Sequence, residues 1–272
     1  MCIGYTLQRN ASRQVTFADA ADGLARAFTK WTGSTCPTNA GGGSRVSIDV
    51  RDLGAVDCAE VKYNQNGANQ NVIIFRDDVW PHEQSADTLA LTTVTYNIDT
   101  GEIYDADMEI NTHDKHVTLT DPVPSDGYDF ASIVTHESGH FLGLAHSGDS
   151  HATMFFNYAP GATAMRTLTA DDVAGICTVY RPDGTHAAQS GPVTAQACNP
   201  TFRHGSIKEC TEDEPERPCT VGAPMTTAAP ASKERLPKTL AVFLGVSLLG
   251  VVRRRQRGAG RKSPTRRRCA NR

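Results

Sequence analysis

Apolar positions in the first half of the chain follow two periods. Ala21, Leu24, Ala25, Phe28 and Trp31 recur at i, i+3, i+4 and i+7, which predicts a helix over 18–31 with one buried face. Residues 2–7 read as a strand, 46–50 alternate as one, and Val72-Ile73-Ile74-Phe75 is an apolar run of buried-sheet type. Residues 89–97 are rich in Thr, Val and Tyr, which suits a strand. Residues 103–111 alternate, with Ile103, Asp105, Asp107 and Glu109 on one parity, and the turn Asp99-Thr100-Gly101 joins the two runs into a predicted hairpin. Loops are predicted at the glycines 41–43, over 64–71 and over 121–127. Two further helices are predicted over 129–142 and 169–180. The second opens with Thr169 as N-cap ahead of Asp171 and Asp172, whose charge suits a helix N-terminus, and stops before Pro182.

After Gly184 the periodicity ends. Residues 184–238 are rich in Thr, Ala, Pro, Ser and Glu and read as a disordered linker or stalk. Residues 239–252 are mostly apolar and precede Arg253-Arg254-Arg255. As a helix this run would span about 21 Å, short of the ~30 Å hydrocarbon core. The chain thus divides into a folded domain over 1–183, the linker, and an apolar segment with a basic tail over 239–272. That tail is similar to tripartite surface-sorting signals, and Leu236-Pro237-Lys238-Thr239 is similar to a sortase motif with Leu240 in the glycine position. Membrane or cell-envelope attachment through 239–272 is the expectation, with the basic cluster on the cytoplasmic side.

Length and charge sharpen this division. The 272 residues allow one full domain plus extra, at roughly 100–200 residues per domain. The formal net charge of −3 hides an asymmetry: positions 233–272 hold thirteen of the 27 Lys and Arg residues and one acid, Glu234. The body is therefore acidic, which argues against a nucleic-acid partner. The eight cysteines contain no CxxC pair, so disulfides and an oxidising compartment fit better than a zinc ribbon. Cys36 with Cys58, and Cys2 with Cys177, are the expected pairs. A signal peptide should accompany them; residues 1–6 are neither basic nor apolar enough to serve, so a start upstream of Met1 is expected.

The chemistry concentrates in His136-Glu137-Ser138-Gly139-His140-Phe141-Leu142-Gly143-Leu144-Ala145-His146. On a helix, His136 and His140 lie one turn apart and point the same way, the spacing two ligands of one metal need. Glu137 sits about 100° around the helix, out of the ligand shell but within reach of a water on the metal. A carboxylate there can take the water's proton and pass it to a leaving amine. Gly143 permits the left-handed backbone that would turn the chain and return His146 to the same ion. Three neutral imidazoles leave a fourth position open, the arrangement of a catalytic rather than a structural zinc. With this chain's own residue frequencies, the five fixed positions match by chance with a probability on the order of 10⁻⁵ to 10⁻⁴.

This stretch resembles the extended zinc motif of the metzincins, and Ser147 after the third histidine resembles their matrixin branch. Ala152-Thr153-Met154 resembles the Met-turn, in which Met154 would underlie the metal without ligating it. Residues 100–111 and 168–176 resemble the family's strand region and its C-terminal helix. The resemblance covers about residues 1–183. It implies an α+β, zincin-like fold with a twisted mixed sheet and three main helices. It implies a zinc-dependent endopeptidase, secreted or surface-displayed and a monomer, with a protein or peptide substrate added along the edge strand. By analogy that edge strand falls near 103–111. Phe156 stands where matrixins usually have proline, and Tyr158 is not placed where related families have a tyrosine ligand. A non-catalytic binding or adhesion module on the same fold, and a zinc hydrolase of non-protein substrates, are the alternatives.

Other candidates have plainer readings. Asp99, Glu102, Asp105 and Asp107 could bind calcium, but a solvated turn and strand face is favoured. His113 and His116 flank Asp114 and could form part of a second zinc site, but they and His151 read first as exposed loop histidines. Tyr158 reads as pocket lining before it reads as a donor to a reaction intermediate.

Overall fold

The computed structural model describes residues 1–38, 43–57, 60–82, 87–186, 188, 191–194, 198–206 and the backbone of 240–246. The strands are β1 (Cys2–Gln8), β2 (Thr35–Pro37), β3 (Gly43–Arg45), β4 (Asp49–Val56), β5 (Val72–Phe75), β6 (Ala90–Asn97), β7 (Ile103–Ile110), β8 (Val117–Thr118), β9 (Tyr128–Asp129), β10 (Thr185–His186), β11 (Val193–Thr194) and β12 (Leu240–Val246). The helices are α1 (Phe17–Thr32), α2 (Phe130–Phe141) and α3 (Ala170–Val179). All three predicted helices form, each within two residues of its expected ends.

Six strands make the main sheet, in the order β12-β6-β7-β5-β1-β4. β7, β5, β1 and β4 run parallel, whereas β6 is antiparallel to both β7 and β12. The core lies between this sheet and the helices. Leu24, Phe28 and Trp31 of α1, Phe130 and Phe141 of α2, and Ile73, Met108 and Ile110 of the sheet are all buried there. Trp31 donates its indole N–H to the Thr135 carbonyl at 2.8 Å, which fixes α1 against α2 and satisfies the buried ring's polar atom. The two helices approach closely at Gly23, where a Cβ would lie 2.6 Å from the Phe130 ring.

Three expectations need correction. The strand over 103–111 is not at the edge: β7 is interior, between β6 and β5. Its place depends on parallel pairing of 108–110 with Ile73–Phe75, a contact no local pattern encodes. The acids of β7 are not on a solvated face either. Asp105, Asp107 and Glu109 are each 2% exposed. Asp107 accepts the Val72 N–H at 2.8 Å, and Arg76 and His82 meet Glu109 at 2.5 and 2.9 Å. Burial raises the Asp105 carboxyl to about 6 and pushes Asp107 up as well.

The third correction concerns the cysteines. The bridges are Cys2–Cys198 and Cys36–Cys177, with Cα separations of 5.0 and 5.6 Å. Cys36 sits on β2, which packs against α3, and so meets Cys177 of that helix. Cys58, its expected partner, lies outside the described residues, as do Cys210, Cys219 and Cys269. Cys198 brings the chain beyond the C-terminal helix back to the start of β1. There Pro200 approaches Gly4 so closely that a Cβ at Gly4 would strike its carbonyl, and Ser206 bridges to Asn69. Leu240–Val246, within the apolar run over 239–252, forms strand β12, paired with β6 along its whole length, and residues 247–272 lie outside the described residues. Among the described residues no helix is long and apolar enough to cross a membrane.

Candidate metal centre

Helix α2 starts where Asp129 caps it, accepting the Ser132 N–H at 2.9 Å. Arg166 holds the same carboxylate through two bonds of 2.8 Å, and this pairing, with Ser132, keeps Asp129 below its usual range despite burial. The cap sets the helical register and so the direction of His136, Glu137 and His140. All three are buried.

The helix ends as the glycine spacing requires. Gly143 has φ +86° and donates to the His140 carbonyl at 2.8 Å. Its left-handed backbone turns the chain so that His146 returns to the helix. One imidazole nitrogen from each of His136, His140 and His146 lies within 4.8 Å of the others. Among the described residues this is the one cluster of three or more metal-type side chains.

Hydrogen bonds orient the rings. His136 Nδ1 meets the Thr153 carbonyl at 2.6 Å, and His140 Nδ1 meets the Leu144 carbonyl at 2.7 Å. A carbonyl can only accept, so each Nδ1 carries the proton and each Nε2 is left with its lone pair. His140 Nε2 and His146 Nε2 stand 3.1 Å apart. Two nitrogens bound tetrahedrally to one zinc ion at 2.0–2.1 Å would stand about 3.3 Å apart, so the donor set fits the ion with little adjustment. Burial lowers His136 to about 4, pushes His140 well below its ordinary value and lowers His146. The rings are neutral near pH 7 and able to ligate.

Glu137 is one residue on, with its Oε2 accepting from Thr92 Oγ at 2.6 Å. Thr92 belongs to β6, so the carboxylate is held between the helix and the sheet. A pocket opens beside it, lined by Leu89, Ile133, Phe155, Phe156, Tyr158 and Met165 together with His136 and Glu137. Its walls are mostly apolar, and Phe156 is exposed at its rim. The Tyr158 hydroxyl donates to the Ala162 carbonyl, which makes it part of the wall.

Met154 is buried against α2, with its sulfur at Gly139. A side chain at Gly139 would collide with the Met154 sulfur and lie 2.8 Å from the Trp31 ring, so only glycine fits. Asp172 of α3 holds the turn in place. Its two oxygens accept the N–H groups of Thr153 and Met154 at 2.8 and 2.9 Å, and it also closes a capping box with Thr169.

The sequence singled out the histidines, Glu137 and Met154, and the structure brings them together. Thr92 and the turn-holding role of Asp172 went unseen. Asp172 carried a signal, since a Thr169 cap three residues before it marks a capping box. Thr92 carried none, being one threonine in a Thr-rich strand. The remaining candidates stay apart from the centre. His113, His116 and His151 lie beside Asp114, Asp126 and Asp149 at the surface. Asp99 and Glu102 are exposed on the hairpin turn, whereas Asp105 and Asp107 are buried in the sheet.

Comparison with known proteins agrees with this geometry. The family model for matrixin matches residues 2–181. Human neutrophil collagenase is 37% identical over 83 residues, which are 30% of this chain and 18% of that protein. Pig interstitial collagenase is 40% identical over 80 residues, 29% of this chain and 17% of the relative. The Arabidopsis thaliana metalloendoproteinase 1-MMP is 46% identical over 55 residues, 20% of this chain and 15% of its own length. Each alignment spans less than a fifth of the relative. The family match covers both halves of the site, from β1 through α3, and on that ground the chain belongs to the matrixin family of metzincins.

Proposed function

We propose that the protein is a zinc-dependent endopeptidase, with His136, His140 and His146 as the ligands and Glu137 as general base and then general acid. The observation that carries this reading is the convergence of three neutral imidazoles beside a carboxylate, next to an apolar pocket. Zinc bound there supplies Lewis acidity to a water and to the scissile carbonyl. Glu137 takes a proton from the attacking water and returns it to the departing amine nitrogen. Thr92 keeps the carboxylate turned toward the reaction, and Met154 supports the ligand helix from below. The pocket beside Glu137 takes an apolar side chain of the substrate. Two disulfides among the described residues favour an oxidising compartment, so the enzyme acts outside the cytosol, secreted or surface-displayed, as a monomer.

The test pairs the full chain with Glu137→Ala. The expected result is one zinc per chain in both, chelator-sensitive cleavage of an unfolded protein by the first and none by the second. Failure of the native chain to bind zinc would overturn the reading.

A further inference from the structure

Strand β12 covers the sheet edge that adjoins the metal centre. Its register with β6 is continuous, from Leu240 opposite Asn97 to Val246 opposite Leu91. Gly245 stands opposite Thr92, the residue whose hydroxyl holds Glu137. The strand ends two positions from Leu89, which lines the pocket beside Glu137. Any extended peptide that enters the site by adding a strand to β6 needs the backbone groups β12 already uses.

Residues 198–206 are held near the same end of β6 where β12 begins. The Cys2–Cys198 bridge holds 198–206 on the domain. Arg203 lies 4.0 Å from the centre of the Tyr104 ring and 3.5 Å from Glu102, and the Tyr104 hydroxyl accepts from Asn97 at 2.7 Å. Asn97 is the partner of Leu240. The segment also suits an edge, being Leu-Ala-Val-Phe-Leu-Gly-Val with no charge and no proline.

We propose that Leu240–Val246 is a built-in pseudosubstrate: it occupies the peptide-binding edge of its own chain and restrains the enzyme until it is displaced or cut away. The inference rests on the peptidase reading above. The occupied edge also defines what displaces it: an extended, uncharged, apolar peptide that pairs antiparallel with β6.

The experiment uses the full chain and the double variant Val242→Pro with Phe243→Pro. Consecutive residues of an antiparallel strand turn their N–H groups to opposite sides, so one of the two prolines removes a ladder donor. Hydrogen exchange of β6 and of residues 240–246 is followed beside kcat/KM on a fluorogenic peptide. In the native chain both strands are protected; in the variant protection is lost and kcat/KM rises about tenfold. That factor is the ratio of an effective tail concentration on the order of 1 mM to a free-peptide affinity on the order of 0.1 mM. A synthetic peptide of residues 238–248 added to the variant restores inhibition competitively. Equal exchange in the two proteins overturns the proposal whatever the activity, and so does protection that rises with protein concentration, which would place the tail on a second copy. Lost protection with unchanged kcat/KM in an active enzyme overturns the inhibitory role. If neither protein cleaves any peptide although both bind zinc, the peptidase reading itself fails and the inhibitory role falls with it, while exchange still reports whether the tail is paired.

Discussion

The two walls of the cleft are built in different ways. The wall of α2, the glycine turn and Met154 is made from one stretch of 26 positions, 129–154, in which a few residues have separate tasks. Asp129 caps, the histidines converge, Gly139 admits Met154 and Gly143 turns the chain. The opposite wall, β6 with β12 against it, uses backbone pairing and the side-chain contact of Thr92 on Glu137. In the first wall a side chain at Gly139 would strike Met154, and Gly143 holds a left-handed backbone. The second depends chiefly on the register of backbone pairing.

This contrast can be broken from either side. The largest effect belongs to the histidine wall: His140→Ala should abolish zinc binding and cleavage together, read by metal content and by rate. Retained stoichiometric zinc in that variant would show that the ligand set is wrong. Glu137→Gln should keep the zinc and lose about 10²- to 10⁴-fold in kcat/KM, the usual worth of a positioned general base. Asp172→Ala leaves the buried Thr153 and Met154 N–H groups without their charged acceptor, and should cost roughly 3 kcal/mol in urea unfolding.

Acid should act on the same wall. His136 falls to about 4 in the folded chain because it is buried, so the unfolded state binds more protons below about 6.5. Its contribution to stability is full above that pH and is lost as the pH falls toward 4. The urea midpoint of metal-stripped protein should therefore drop between pH 7 and pH 5; an unchanged or rising midpoint would contradict this. The smallest effect is on the strand wall: Thr92→Val removes one hydrogen bond, so kcat should fall by about tenfold or less with KM nearly unchanged. A larger loss would mean that β6 does more for Glu137 than orient it.

How much of this was legible in the chain follows the same divide. The helices were readable because their apolar period and caps lie within a dozen residues of each other, as at Ala21 to Trp31 and at Thr169. The histidine cluster was readable because α-helical spacing and one glycine turn bring three histidines together over eleven positions. The sheet order was not. Nothing near residues 103–110 states that β5 will pair with them on one side and β6 on the other, leaving β7 interior. The disulfides failed for the same reason: Cys36 meets Cys177 across 141 positions and Cys2 meets Cys198 across 196, through packing of β2 on α3 and the return of the chain to β1.

The burial of Asp105 and Asp107 is a related case. Alternation placed them correctly on one face of β7 but could not say that the face would be covered. Periodicity reports which residues share a side, and only the packing of distant segments decides what that side meets. By itself, then, the sequence determined the histidine constellation of the candidate metal centre and the helices that carry it, because those depend on short-range geometry that a few residue types enforce. The tertiary structure alone decided which strand borders the cleft, what holds Glu137 and Met154 from the far side, and that the apolar tail lies along that strand. Those outcomes turn on contacts between separate segments, 18 positions apart for Met154 with Asp172, 45 for Thr92 with Glu137 and more than a hundred for β12 with β6, whose free energy is shared by the whole fold and inscribed in no single segment.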